Sequence, residues 1–190
     1  MKIGGRTVPL NSTFNRPKFK ALVHYICSRC QDEPSRLGAT KLNKVLWYAE
    51  TGHFLKSGKP LTGARYVKRQ HGPVPAAIPA IVEELSAEKK IFVKEAPFYG
   101  YDKKEYLTLE EPDDIDSYFS ASDIRDIDRI IDAVCDSHTA KSISLKTHNE
   151  PWHMAEIGED LPLFTVLARP GELTEDDIKW IDEKIESIAS

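Results

Sequence analysis

The chain has 190 residues, 41% of them hydrophobic and 29% charged, with a formal net charge of −4; this is an ordinary globular composition, of a size for one domain or one domain with an appendage. It has no apolar run long enough for a membrane span, no signal-peptide core at the N-terminus and an odd cysteine count of three, so a cytoplasmic, disulfide-free protein is expected. Residues 1–71 carry 14 Lys/Arg against 3 Asp/Glu, a net of +11, while residues 72–190 carry 12 against 27, a net of −15, which suggests either two binding faces or halves that pack on each other.

Residues 1–14 read as a flexible arm. A first helix follows in "NRPKFKALVHYICSRCQ", with Asn15 as cap, Pro17 in the first turn and an apolar face from Phe19 to Cys30. "EPSRLGA" reads as a loop. Thr40 is then expected to cap a central helix ending near Gly58, with Leu42, Val45, Leu46 and Ala49 on one stripe and Lys41, Lys44 and Tyr48 exposed on another face. "ARYVKRQ" is a short extended run that "HGPVP" breaks. A third helix runs through "AAIPAIVEELSAEK", and "KIFVKEA" and "KEYLTLE" form a β-hairpin. After a connector, Ser122 is expected to cap a helix with Ile124, Ile127, Ile131, Val134 and Cys135 on its face. A short helix covers about 139–147, stopped by "NEPW" because Pro151 disfavours a helical Glu150. "LPLFTVLARPG" reads as irregular, and Thr174 caps a last amphipathic helix. The expected fold is mainly α within an α+β class: about six helices and one small hairpin. The helix–helix–helix–hairpin order fits a winged-helix-like arrangement, which by itself does not settle function.

The search for chemistry is largely negative. Cys27-x-x-Cys30 is half of a zinc pattern without its second pair and reads as buried thiols. Phosphate-binding glycine loops and a G-x-S-x-G nucleophile are absent. In "THNEPWHMAE", His148, Glu150 and His153 have ligand chemistry, but a spacing of five across a proline does not put two imidazoles on one helical face. The segment reads instead as a capped helix end with a buried Trp152. No catalytic residue, cofactor or metal is expected. Lys41, Lys44, Arg65, Lys68 and Arg69 form a basic set suited to phosphate contacts, yet the central helix is too apolar for a recognition helix and the sequence pI is 5.9. Asp113, Asp114, Asp116, Asp123, Asp126, Asp128 and Asp132 cluster as a surface that would steer a basic protein partner.

"TKLNKVLWYAETGHFLKSGKPLTGARYVKRQHGPVPAAIPAIVEEL" resembles the Panacea, or SocA-like antitoxin, domain. Lys41, Leu42, Lys44, Leu46, Tyr48 and Ala49 match its K-L-x-K-L-L-Y-Y-A helix. Gly58, Pro60 and Leu61 match its G-x-P-L turn, and Gly72, Pro73 and Val74 its G-P-V motif. "SLKTHNEPW" is similar to a T-H-x-E-x-P-W segment of some members. The resemblance implies the antitoxin of a type II toxin–antitoxin module, often phage-linked, that neutralises a cognate toxin by direct binding; some members act as adaptors to an ATP-dependent protease. It brings no catalytic residues. The domain is placed at 15–157, with 158–190 as a C-terminal extension packed on the domain or on the partner. Lys41, Lys44, Tyr48, His71, Gly72, Pro73, His148, Glu150 and Trp152 are the expected partner-binding residues. A winged-helix DNA-binding regulator is the alternative reading.

Overall fold

The computed structural model describes residues 2–3, 6–7, 13–98, 101–112, 114–148 and 150–167. A two-residue pairing of β1 (Lys2–Ile3) with β2 (Arg6–Thr7) precedes the first helix. α1 (Arg16–Arg29) starts as expected: the Asn15 side chain accepts from the Lys18 amide and Pro17 needs no donor in the first turn. It buries Phe19, Leu22, Val23, Ile26 and Cys27. α2 (Gly38–Ser57) is the central element, packed against α1, against the strands at Gly72–Pro75 and Tyr101–Thr108 and against the helices at Ala121–Cys135 and Ala140–Lys146. It ends at Gly58, whose φ of 69° is the left-handed value glycine adopts freely. Its start differs from the sequence expectation. Thr40 lies inside the helix, because a 3-10 turn over Pro34–Arg36 runs into Gly38 through the buried Leu37, without a side-chain cap.

The largest departure is at "HGPVP". Gly72–Pro75 is not a break but a strand, β4, antiparallel to β3 (Tyr66–Arg69). Two prolines in four residues argue against a strand, because proline donates nothing to a ladder. Register resolves this. Tyr66 faces Pro75 and Lys68 faces Pro73. The backbone groups of Tyr66 and Lys68 turn the other way, to residues 158–161: the Lys68 amide bonds Glu159, its carbonyl accepts from Gly158, and the Tyr66 carbonyl accepts from Leu161, at 2.8–2.9 Å. The prolines therefore sit where no N–H is called for. The segment after residue 157 is laid along the outer edge of β3, and Leu161 is buried in the core.

α3 (Ile78–Ala87) and the hairpin of β5 (Ile91–Phe98) with β6 (Tyr101–Thr108) follow as expected. A one-turn helix, α4 (Ile115–Tyr118), occupies the connector. α5 (Ala121–Cys135) is capped two residues earlier than expected: Ser120 accepts from the Asp123 amide while Asp123 accepts from the Ser120 amide, a reciprocal box. α6 (Ala140–Lys146) begins at Thr139 in the same manner. "EPWHM" does not merely stop a helix; it forms one, α7 (Glu150–Met154), with Pro151 in the first turn, where its missing N–H is harmless. Leu163–Leu167 makes a 3-10 turn. The fold is thus α+β and mainly helical, with seven α-helices among the described residues. The order α1, α2, α3, hairpin holds, with the β3–β4 hairpin set between α2 and α3. The expected amphipathic helix after Thr174 lies outside the described residues.

The charge asymmetry is a packing feature. Arg16 pairs with Glu84, Lys20 with Glu84 and Glu88, Arg29 with Asp128, Arg36 with Asp136, Lys56 with Asp126 and Arg65 with Asp160. Each cation comes from the basic half and each anion from the acidic half. Such exposed pairs contribute under about 1 kcal/mol apiece. Much of the acidic helix is therefore engaged internally, with Asp128 also accepting from the Tyr25 hydroxyl at 2.8 Å. Asp113 lies outside the described residues. Cys27, Cys30 and Cys135 are all buried free thiols. Cys30 is held below the ordinary thiol value, first by a hydrogen bond with Cys135 across α1 and α5 and then by Arg36.

Glu50 ties α2 to the loop before β3. It is fully buried and accepts from the Thr62 amide and hydroxyl and from the Gly63 amide at 2.6–2.9 Å. Burial still pushes its carboxyl above the usual range. Glu50→Ala orphans three donors at once, so a loss on the order of 3 kcal/mol is expected in urea unfolding. A loss below about 1 kcal/mol would show that the loop holds itself.

Candidate functional site

The two-residue turn between β3 and β4 lies over one face of α2. At this turn the Lys44 ammonium donates to the His71 carbonyl. Lys44 is only 1% exposed, and burial pulls its pKa down to about 7. Gly72 makes room for it. At a φ of +109° this residue has no Cβ; one placed there would overlap the Lys44 ammonium and come within 2.5 Å of Thr147 Oγ1. Thr147, the buried C-cap of α6, donates its hydroxyl to Ser144 at 2.9 Å. The next residue, His148, stacks on Trp152 of α7, with ring centroids 3.6 Å apart and planes 6° from parallel. Lys68 of β3 places its ammonium 4.1 Å above the Trp152 ring and donates to the Ala155 carbonyl at 2.9 Å.

The cluster gathers the side chains of two lysines and two histidines. Among the described residues no carboxylate pairs with Lys44 or Lys68. Burial lowers the His148 pKa, and Lys44, His153, His71 and Lys68 lower it further. His148 Nε2 and Asn43 Oδ1 are buried with no hydrogen-bond partner among the described groups. A cavity of about 350 Å³ opens between the first turns of α2 and the β3–β4 turn, lined by Asn43, Lys44, Arg69, Gln70, His71 and Ile157. Buried polar groups in folded proteins are nearly always satisfied by protein groups or by ordered water, so these two atoms are open to a water or to a ligand.

The structure brings Lys44, His71, Gly72, His148 and Trp152 together, with Pro73 buried beside them in β4. Lys44 was expected on an exposed face; the β3–β4 hairpin covers that face, so it is buried. Lys41 is not in the cluster: one turn earlier on α2, it donates to the Cys135 carbonyl at 2.7 Å. Tyr48 is half-buried against the core. Glu150 supplies the first residue of α7, and its side chain lies outside the described residues. Lys68, Asn43 and Thr147 are the members the sequence reading did not place here. Lys68 had drawn attention only as one of the basic residues. Of that basic set, Lys41, Lys44, Arg65 and Lys68 all bond within the fold, which leaves α2 without the exposed cation row of a recognition helix. His148 and His153 meet edge to face at 6.3 Å, and no group of three His, Cys, Asp or Glu able to hold a metal occurs among the described residues.

Two histidines give the fold an acid limit. His24 is buried, bonds the Glu110 carbonyl through Nε2 at 2.7 Å, and is held below the ordinary value of 6.5 chiefly by burial. His148 is shifted the same way. In both cases the unfolded chain binds the proton more readily, so stability is full above about pH 6.5 and falls as the pH drops through the folded values. Unfolding at pH 7.5 and at pH 5.5 should show the loss, and His24→Gln should reduce it; an identical pH dependence in the variant would remove His24 from the account.

Residues 42–153, more than half of the chain, match the family model described as "Antitoxin SocA-like, Panacea domain". The match spans every residue of the cluster just described. Comparisons with the curated proteins and with the solved structures give no match. No helix among the described residues is long and apolar enough to cross a membrane.

Proposed function

Because the chain belongs to the SocA-like Panacea domain family of antitoxins, we propose that it is the antitoxin of a two-gene module and neutralises a partner toxin in the cytoplasm by direct binding at the Lys44–His148 cluster. The observation that carries this reading is the cluster itself: buried cations and unpartnered polar atoms, beside a cavity, inside the segment that the family model covers. Exposed apolar side chains nearby in the chain, Met154 at 82% and Ile157 at 63%, suit a protein partner better than a small substrate. Occlusion of the toxin is the simplest mechanism. Delivery to an ATP-dependent protease is a finer version, distinguished by whether the toxin's cellular half-life shortens when this protein is present.

The test is co-expression with the neighbouring gene. The neighbour should arrest growth alone and be harmless with this protein, and the two should co-purify. A neighbour that is harmless by itself removes the reading. His71→Ala is a sharper probe, because the His71 side chain is exposed while its backbone carbonyl serves Lys44. The variant should keep its melting temperature and bind the toxin roughly tenfold more weakly, about 1.4 kcal/mol. Unchanged affinity would place the toxin elsewhere on the surface.

A further inference from the structure

The cavity beside Lys44 has a recognisable chemistry. Its inner wall is the one lysine of α2 that is fully buried, and the single hydrogen bond found for that ammonium goes to the His71 carbonyl. An ammonium carries three protons. Asn43, one residue earlier, lines the same space, where its amide NH2 would serve a carboxylate only with the amide turned over from the present orientation, which buries an unpartnered Oδ1. Arg69 and His71 stand on the opposite wall, on β3 and its turn. No aspartate or glutamate is among the lining residues described. One deeply buried positive charge is matched by one negative charge, whereas a doubly charged phosphate would bring an excess into the same low-dielectric site.

We propose that this cavity, between the first turns of α2 and the β3–β4 turn, is a carboxylate-binding site, and that the carboxylate is presented by the protein partner as an acidic side chain or a chain terminus. The second half rests on the antitoxin reading; the first does not. The carboxylate accepts from the Lys44 ammonium, with Arg69 available for a second, charge-assisted bond at the rim. It gives the Lys44 ammonium an anionic partner that no described residue provides. This also accounts for the glycine at position 72. A side chain at that position would fill the space into which the ammonium reaches.

The experiment has two arms. In the first, the protein alone is titrated with sodium acetate at constant ionic strength and pH 6.5, where Lys44 is mostly an ammonium, read by the imidazole signals of His71 and His148 in carbon–proton correlation spectra. Saturable shifts are expected, and Lys44→Met should weaken binding at least tenfold. No saturation, equal binding by the variant, or inorganic phosphate binding more than tenfold tighter than acetate would each overturn the carboxylate site. Lys44→Met replaces a buried charge by an apolar side chain of similar length, so it is expected to fold, and its melting curve checks this. In the second arm, toxin binding is compared for the wild type and Lys44→Met. At least tenfold weaker binding by the variant supports a partner-borne carboxylate. Equal toxin binding by a variant that has lost acetate overturns the partner-borne half and assigns the site to a free carboxylate. If acetate binds and no neighbouring protein is toxic, the antitoxin reading fails while the site stands.

Discussion

Lys44→Met is expected to stabilise the protein while impairing its function. A lysine whose folded pKa has fallen from 10.5 to about 7 is held charged in the unfolded chain and resists charge in the fold. The unfolded state therefore binds more protons between pH 7 and 10.5, and wild-type stability rises with pH across that window. At or below pH 7 the burden is nearly complete, on the order of 2–4 kcal/mol. Methionine removes it and gives up one hydrogen bond to His71, worth about 1 kcal/mol. A net gain of about 2 kcal/mol, roughly 4–8 °C in Tm for a chain of this size, should appear at pH 7 and shrink towards pH 10. The shrinkage with pH is the signature: a gain independent of pH would mean improved packing, and a loss would mean that the ammonium is already compensated in the fold. A stability gain coupled to weaker binding of the proposed toxin would fit a residue that serves a partner rather than the fold.

Gly72→Ala is expected to act in the opposite direction, and strongly. At a φ of +109° any L side chain is strained. The new methyl would also collide with Thr147 Oγ1 and the Lys44 ammonium. The lysine end can move, but Thr147 is fixed as the buried cap of α6. A loss of about 3 kcal/mol or more is expected, some 6–12 °C in Tm. Combining it with Lys44→Met should restore only the part due to the ammonium, leaving the strain and the Thr147 contact. If the single variant costs less than about 1 kcal/mol, the turn is not held as described.

The cluster was half legible in the sequence. His71, Gly72, His148 and Trp152 stood out because they fall in motifs. Lys68 did not, because a lysine in a short extended run looks like any surface lysine; only the strand that Lys68 shares with Tyr66 brings it over Trp152. Lys41 and Lys44 looked equivalent at a spacing of three. One reaches the end of α5 and the other the β3–β4 turn, a divergence that depends on what is packed over each turn of α2. "THNEPWHMAE" was read as a helix end with a buried tryptophan. The stretch does end α6, at Thr147, but it also starts α7 at Glu150, and its tryptophan is half-buried and serves as a stacking surface for His148 and Lys68.

The sequence by itself determined the helices with clear caps and periodic faces, the β5–β6 hairpin and the burial of the three thiols, because local propensity and apolar spacing act over a few residues; its motifs, in their order along the chain, carried the resemblance to an antitoxin family. Only the tertiary structure decided which side chains share a site. The two prolines of β4 are tolerated because residues 158–161 take the backbone bonds on the far edge of β3. Lys44 is buried because that hairpin folds back over α2. Both facts join residues far apart in the chain, and burial and charge desolvation depend on that distant packing rather than on local sequence.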